Sequence, residues 1–147
     1  MNVQDVMVKD ALSVTPETTM EQALNEMLLN NVRHLPVLDQ TGKLVGVITD
    51  RDMRLMLDSP LLRLDEDLST RLLHVHYVQE HMQTTLVTIS PDDSLKKAIR
   101  LMMLEGIGAL PVVNQEGLMQ GLITTTDLLR VLDSLLDMEE TVVLLEN

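Results

Sequence analysis

The stretch Gly46-Val47-Ile48-Thr49-Asp50-Arg51-Asp52 has an echo, Gly121-Leu122-Ile123-Thr124-Thr125-Thr126-Asp127, 75 positions further on. Both run Gly, apolar, Ile, Thr, two variable residues, Asp. In each, a short apolar strand ends on a hydroxyl, and an acidic residue follows at the start of an apolar helical pattern. Strand-to-helix corners of this kind are where backbone N–H groups and short polar side chains can meet a ligand. The rest of the chain reads as a scaffold that presents this corner twice.

Working outward from the corner, the same offset of 75 holds without a gap. Met7 falls on Met82, Pro16 on Pro91, Ala23 on Ala98 and Met27 on Met102. Leu35-Pro36-Val37 falls on Leu110-Pro111-Val112, Gly42 on Gly117, and Leu57-Asp58-Ser59 on Leu132-Asp133-Ser134. About twenty identities in register indicate two copies of one supersecondary unit. One unit alone is too small to bury a good core. The two copies are expected to pack on each other about a pseudo-two-fold axis.

Each copy carries the same local signals. Leu12-Ser13-Val14-Thr15 is a short extended run stopped by Pro16. Thr19 and Gln22 have capping-box spacing, and Met20, Ala23, Leu24, Met27 and Leu28 mark one helical face. His34 to Leu38 and Leu44 to Ile48 read as a hairpin around the Asp39-Gln40-Thr41-Gly42 turn. From Asp52 a helical pattern returns. The second copy repeats this, with Ser94 as the cap, although Lys96 and Lys97 sit in a first turn where the helix dipole disfavours cations. The order is β-α-β-β-α in an α/β (α+β) fold. The first repeat is placed at 1–60, a partly helical connector at 61–77, the second repeat at 78–138 and a tail at 139–147. Related lead-ins, Val3-Gln4-Asp5-Val6-Met7 and Val78-Gln79-Glu80-His81-Met82, precede the two repeats. The apolar Thr141-Val142-Val143-Leu144-Leu145 is read either as a last strand or turn on the module or as a contact with another subunit.

Composition narrows the function. The core must be aliphatic, because Tyr77 is the one aromatic residue while Met reaches 11. With no Cys, disulfides and thiolate metal sites are excluded. A net charge of −12 argues against a nucleic-acid partner. Neither a signal peptide nor an apolar run of membrane-spanning length is read, so a cytoplasmic protein off the membrane is expected. No Gly-x-Ser-x-Gly elbow, phosphate-cradling Gly-rich loop or His-Glu-x-x-His motif is present, and no enzyme is expected.

Taken together, an Asp/Glu-x-Met lead-in, a Ser/Thr-apolar-Ser/Thr-Pro start, an apolar-Pro-Val strand and a Gly-apolar-Ile-Thr-x-x-Asp corner, in order and in duplicate, resemble a tandem pair of cystathionine β-synthase (CBS) domains, a Bateman module. The resemblance covers about residues 1–138 and leaves no separate catalytic domain over. It implies a regulatory module that binds adenosine-containing ligands (AMP, ADP, ATP, S-adenosylmethionine or NAD-type molecules) in clefts between the repeats. A homodimer and an unidentified effector protein are implied as well. It assigns ribose contacts to Asp52 and Asp127 and phosphate contacts to Thr49 and Thr124. The base is lined by Ser13-Val14-Thr15 and Thr88-Ile89-Ser90, with Arg33, His34, Gly108 and Ala109 bordering the cleft. No cofactor is obligatory, and magnesium is considered only alongside a nucleotide.

The chemistry of these residues leaves two readings open. A carboxylate can accept from two vicinal hydroxyls, and a Thr at a helix start offers its hydroxyl near the positive dipole end. The same Thr and Asp can equally be plain helix caps. The copies are unequal: Arg33, His34 and Arg51 near the first corner could meet a phosphate, whereas Gly108, Ala109 and Thr126 stand in those places in the second. The first site is therefore expected to favour phosphorylated ligands, AMP or ADP over metal-free ATP given the acidic balance. The alternative function is a dimerisation or docking module with degenerate clefts. His74, His76 and His81 cluster near Tyr77, but they read as linker residues and no metal site is assigned.

Overall fold

The computed structural model describes residues 1–57, 71 and 73–146. Most of the sequence-derived connector, with its partly helical segment, lies outside these residues. The described residues form two compact units that do not follow the linear repeats. One contains Leu12–Leu86 with Glu116–Met119, and the other Met1–Ala11, Val87–Gln115 and Gln120–Asn147. The lead-in Val3–Val8 thus belongs with the body of the second repeat, and Val78–Gln83 with that of the first.

In the first unit, helix α1 (Met20–Asn30) is followed by β1 (His34–Leu38), β2 (Leu44–Thr49), α2 (Asp50–Leu57) and the short α3 (Val78–His81). Thr19 caps α1 as its spacing predicts: its Oγ1 accepts from the Gln22 N–H, and the Gln22 Oε1 accepts from the Thr19 N–H. β1 and β2 form an antiparallel hairpin running from His34↔Thr49 to Leu38↔Leu44, with a bulge beside Val37. The expected first strand is reduced to a single parallel bridge, Val14↔Val37, because Pro16 ends the extended run two residues on. On the other flank the lead-in adds an antiparallel bridge, Val47↔Gln83.

The second unit repeats these devices. A 3-10 turn over Val3–Asp5 precedes α4 (Leu95–Glu105), β3 (Ala109–Val113), β4 (Met119–Thr124) and α5 (Thr125–Glu146). β3 and β4 form the second two-stranded sheet. It carries the bridges Ile89↔Val112 and Val8↔Leu122. The unfavourable Lys97 in the first turn of α4 is offset by Asp93, whose Oδ2 lies 3.0 Å from Nζ.

The two cores use the same positions. Val14, Met20, Ala23, Met27, Leu35, Val37, Ile48 and Val78 are buried together in one. Ile89, Leu95, Ala98, Met102, Leu110, Val112, Ile123 and Val3 are their counterparts in the other. The cores are aliphatic and Met-rich, as composition requires. Two expectations need correction. Leu28 is 71% exposed, with Leu29 and their counterparts Met103 and Leu104, while the core takes the Met20–Ala23–Met27 stripe of α1 with Leu24 packed beside it. The C-terminal apolar run is neither strand nor turn but the end of the 22-residue α5, where Val142, Val143, Leu144 and Leu145 are exposed. Among the described residues, no helix is long and apolar enough to cross a membrane.

Candidate functional site

The corner is closed by a reciprocal lock. Asp52 Oδ2 accepts from both the N–H and the hydroxyl of Thr49, each at 2.9 Å, and Thr49 Oγ1 accepts from the Asp52 N–H at 3.2 Å. The second corner repeats it: Asp127 Oδ2 lies 2.8 Å from the Thr124 nitrogen and 2.9 Å from its hydroxyl. The Asp127 N–H returns to Thr124 Oγ1 at 3.4 Å. Strand and helix are thereby joined at a fixed angle, and helix capping is the role these residues display. A Thr hydroxyl has one hydrogen to donate. Here that hydrogen goes to the aspartate and one lone pair to the aspartate N–H, so Thr49 and Thr124 each keep a single acceptor lone pair.

Each aspartate keeps its other oxygen for a different partner. Gln83 Nε2, from the lead-in, donates to Asp52 Oδ1 at 3.3 Å. Asp127, only 6% exposed, receives Arg130 from its own helix at 3.3 Å. Gln83 stands opposite Val8 in the repeat and Arg130 opposite Leu55, so each partner exists in one copy only. Neither was singled out from the sequence. The three-residue spacing from Asp127 to Arg130 on a helix was the available signal for the second; nothing local announces the first.

The hairpin brings Arg33 and His34 to the first corner. Arg33 O accepts from the Asp50 N–H at 3.1 Å, and His34 pairs with Thr49. In the second unit Gly108 O likewise accepts from the Thr125 N–H at 3.0 Å, placing Gly108 and Ala109 there. Burial holds the His34 pKa below its ordinary value; Asp50 opposes this and Arg33 adds to it. Asp50 itself pairs with Arg54 at 3.6 Å. Arg33 and Arg51 are exposed and form no ion pair with another described residue.

The remaining candidates stand on the segments bridged to β1 and β3. Val14 and Ile89 are core residues, and each spends its N–H and carbonyl on the neighbouring strand. Ser13 and Thr15 are exposed on either side of Val14. Thr15 borders an open depression of about 340 Å³ with Pro16, Glu17 and Leu38 to Thr41. That depression lies at the Leu38 end of β1, four residues or about 13 Å of strand from the His34 end where the corner sits. Thr88 and Ser90 are half-buried, and the Ser90 N–H donates to Asp93 Oδ2 at 3.0 Å. The histidine cluster divides: His74 pairs with Glu21, while His76 and His81 face each other with Nδ1 and Nε2 3.2 Å apart.

A family model, CBS domain, matches residues 3–59 and 78–134. A CBS domain-containing protein of Dictyostelium discoideum is 36% identical over 135 residues, covering 92% of this chain and 93% of that protein. The chain belongs to the CBS domain family, as a pair of α+β CBS repeats. It is also similar to part of inosine-5'-monophosphate dehydrogenase of Methanocaldococcus jannaschii, 31% identical over 86% of this chain but 22% of the enzyme. Among solved structures, CBSX2, known from Arabidopsis thaliana, superposes in its complex with AMP at a TM-score of 0.75. That match is 28% identical and covers 91% of this chain and 97% of CBSX2.

Proposed function

We propose that this chain is a regulatory, non-catalytic module that binds an adenine nucleotide at its Thr–Asp corners and relays occupancy to an effector protein. The observation that carries this reading is the duplicated corner: a capped helix start with a carboxylate and a hydroxyl at its mouth, in a CBS pair whose structural neighbour CBSX2 holds AMP. Asp52 and Asp127 have the chemistry to receive ribose hydroxyls, in competition with Gln83 and Arg130. Arg33 and Arg51, unpaired among the described residues, give the first corner two cations for phosphate. A net charge of −12 favours AMP or ADP over ATP without magnesium. Calorimetry of the purified chain with AMP, ADP, ATP, S-adenosylmethionine and NAD, with and without magnesium, tests the reading. Saturable binding of an adenine nucleotide is expected; no heat and no thermal shift with any of them overturns it.

One observation favours a second, compatible reading. Leu28 and Leu29 of α1 are exposed, as are Met103 and Leu104 at the same positions of α4 and the apolar residues of α5. Apolar surface repeated in this way suits a homodimer of a cytoplasmic module. Light scattering after size exclusion reads it directly: a mass of one chain at micromolar concentration rejects the dimer.

A further inference from the structure

We propose that His76, Glu80 and His81 form a binding site for a divalent transition-metal ion of the zinc class. His76 Nδ1 lies 3.2 Å from His81 Nε2 and 2.9 Å from Glu80 Oε2, and all three ligand atoms fall within 4.8 Å of one another. Zinc bonds of about 2.0–2.1 Å to nitrogen and oxygen in a tetrahedron put donor atoms about 3.3 Å apart. Both distances from His76 Nδ1 are near that spacing, and the third pair lies within 4.8 Å, so three protein ligands can reach one ion and leave a fourth position for water or an incoming ligand. The three side chains converge on one point, where Glu80 Oε2 also accepts from the Tyr77 N–H at 3.1 Å. His76 Nδ1 carries either one hydrogen or one lone pair, yet it faces a carboxylate and a second ring nitrogen together. A cation among the three accepts from all of them. Imidazole with carboxylate suits zinc, cobalt or nickel, and does not suit magnesium or calcium, which take oxygen ligands.

The frame around the cluster is pinned. His76 O accepts from the Met20 N–H at 2.9 Å, the Val78 N–H reaches Thr18 O at 2.8 Å, and the Gln79 N–H reaches Pro16 O at 3.1 Å. Val78, between the first and second ligands, is fully buried. The repeat supplies an internal control. The other lead-in holds its backbone bridge to β4 with Met1, Asp5 and Val6 at the three equivalent positions, so the fold does not require two histidines and a glutamate here. The site is also adjacent to the corner: His81 lies within electrostatic range of Asp52, and Gln83, two residues on, bonds it.

Equilibrium dialysis of the tag-free full chain, stripped with chelator and titrated with zinc sulfate alone, is the test. One ion per chain is expected, with magnesium failing to compete. His76→Gln and His81→Gln should each weaken zinc binding by about 100-fold or more, exceeding the 10–100-fold range for an outer-shell partner. His74→Gln, whose ring is turned to Glu21, should leave it unchanged. Absence of saturable zinc binding, or equal binding by wild type and His81→Gln, overturns the site. Should a variant fail to fold, the imidazole resonances of the wild type decide. Zinc must shift those of His76 and His81 first, and shifts confined to His34 or His74 reject the proposal.

Discussion

At the scale of single residues, the two corners separate what a side chain does for the fold from what it offers a ligand. Asp52 serves both purposes, so its replacement confounds them. Arg51 does not: it is exposed, has no ion pair among the described residues, and its counterpart is Thr126. Arg51→Thr is expected to weaken AMP binding about tenfold or more, the scale of one charge-assisted hydrogen bond, while the melting temperature stays the same. Calorimetry beside a thermal melt checks both halves, and unchanged affinity removes Arg51 from the site. The glycine that opens each corner has a purely structural reason. A Cβ on Gly121 would stand 2.7 Å from the Val8 carbonyl oxygen and 2.8 Å from Met7 Sδ. On Gly46 it would meet Met82 Sδ at 2.4 Å and the Gln83 carbonyl at 3.1 Å. A thioether can turn aside more readily than a bridged backbone can. Gly121→Ala should therefore cost about 1–3 kcal/mol and exceed Gly46→Ala, as urea denaturation would show. The motif displays the glycine, but for Gly121 its cause lies in a segment more than a hundred residues away in sequence.

Elements were legible where periodicity and capping agree, and less so where tertiary cover decides. Thr19–Gln22 and Ser94 fixed their helix starts because the caps are local hydrogen bonds. Leu28 lies on the predicted helical face yet is exposed, since the core reaches no further along that face than Met27. The strand or turn reading of residues 141–145 fails because Val142 and Val143 suggest a strand when taken alone. Yet no Gly or Pro interrupts residues 125–146, so the helix that starts at the second corner simply continues. The weak start of α4 is repaired by a residue outside the helix. Asp93 accepts from the Ser90 N–H and pairs with Lys97, and these contacts, the backbone bond foremost, lower its pKa from 3.8. A carboxylate depressed on folding contributes stability that is complete above its unfolded pKa and lost as pH falls through the lower folded value. Asp93→Asn should be less stable than wild type at neutral pH, and the gap should close as pH drops below 3.8. Thermal melts across that window measure it; a gap that persists at the acid end refutes the account.

For the whole molecule, the duplication was plain in the sequence and the exchange of lead-ins was not, for one physical reason. Val3 and Val78 fill the same position in cores that share seven further buried positions of similar size, the first core adding Met53 where the second has the partly buried Leu128. Either lead-in could satisfy either core by pattern, so periodicity cannot choose between them. The structure places Val78 with the first repeat's core and gives β2 its outer neighbour through Gln83. A boundary drawn after residue 60 therefore removes a fully buried valine, the Met82 contact over Gly46 and two backbone hydrogen bonds to Val47. It keeps in exchange a Val3 whose core is absent. Burial of one valine is worth about 1.5–3 kcal/mol, a large share of what so small a unit can hold in reserve. A fragment spanning 12–86 should accordingly melt cooperatively by circular dichroism, whereas one spanning 1–60 should not. Adding Val78→Asp to the longer fragment should abolish its transition. Equal melting of the two fragments would mean that the lead-in is ornamental to this core and that each linear repeat folds on its own.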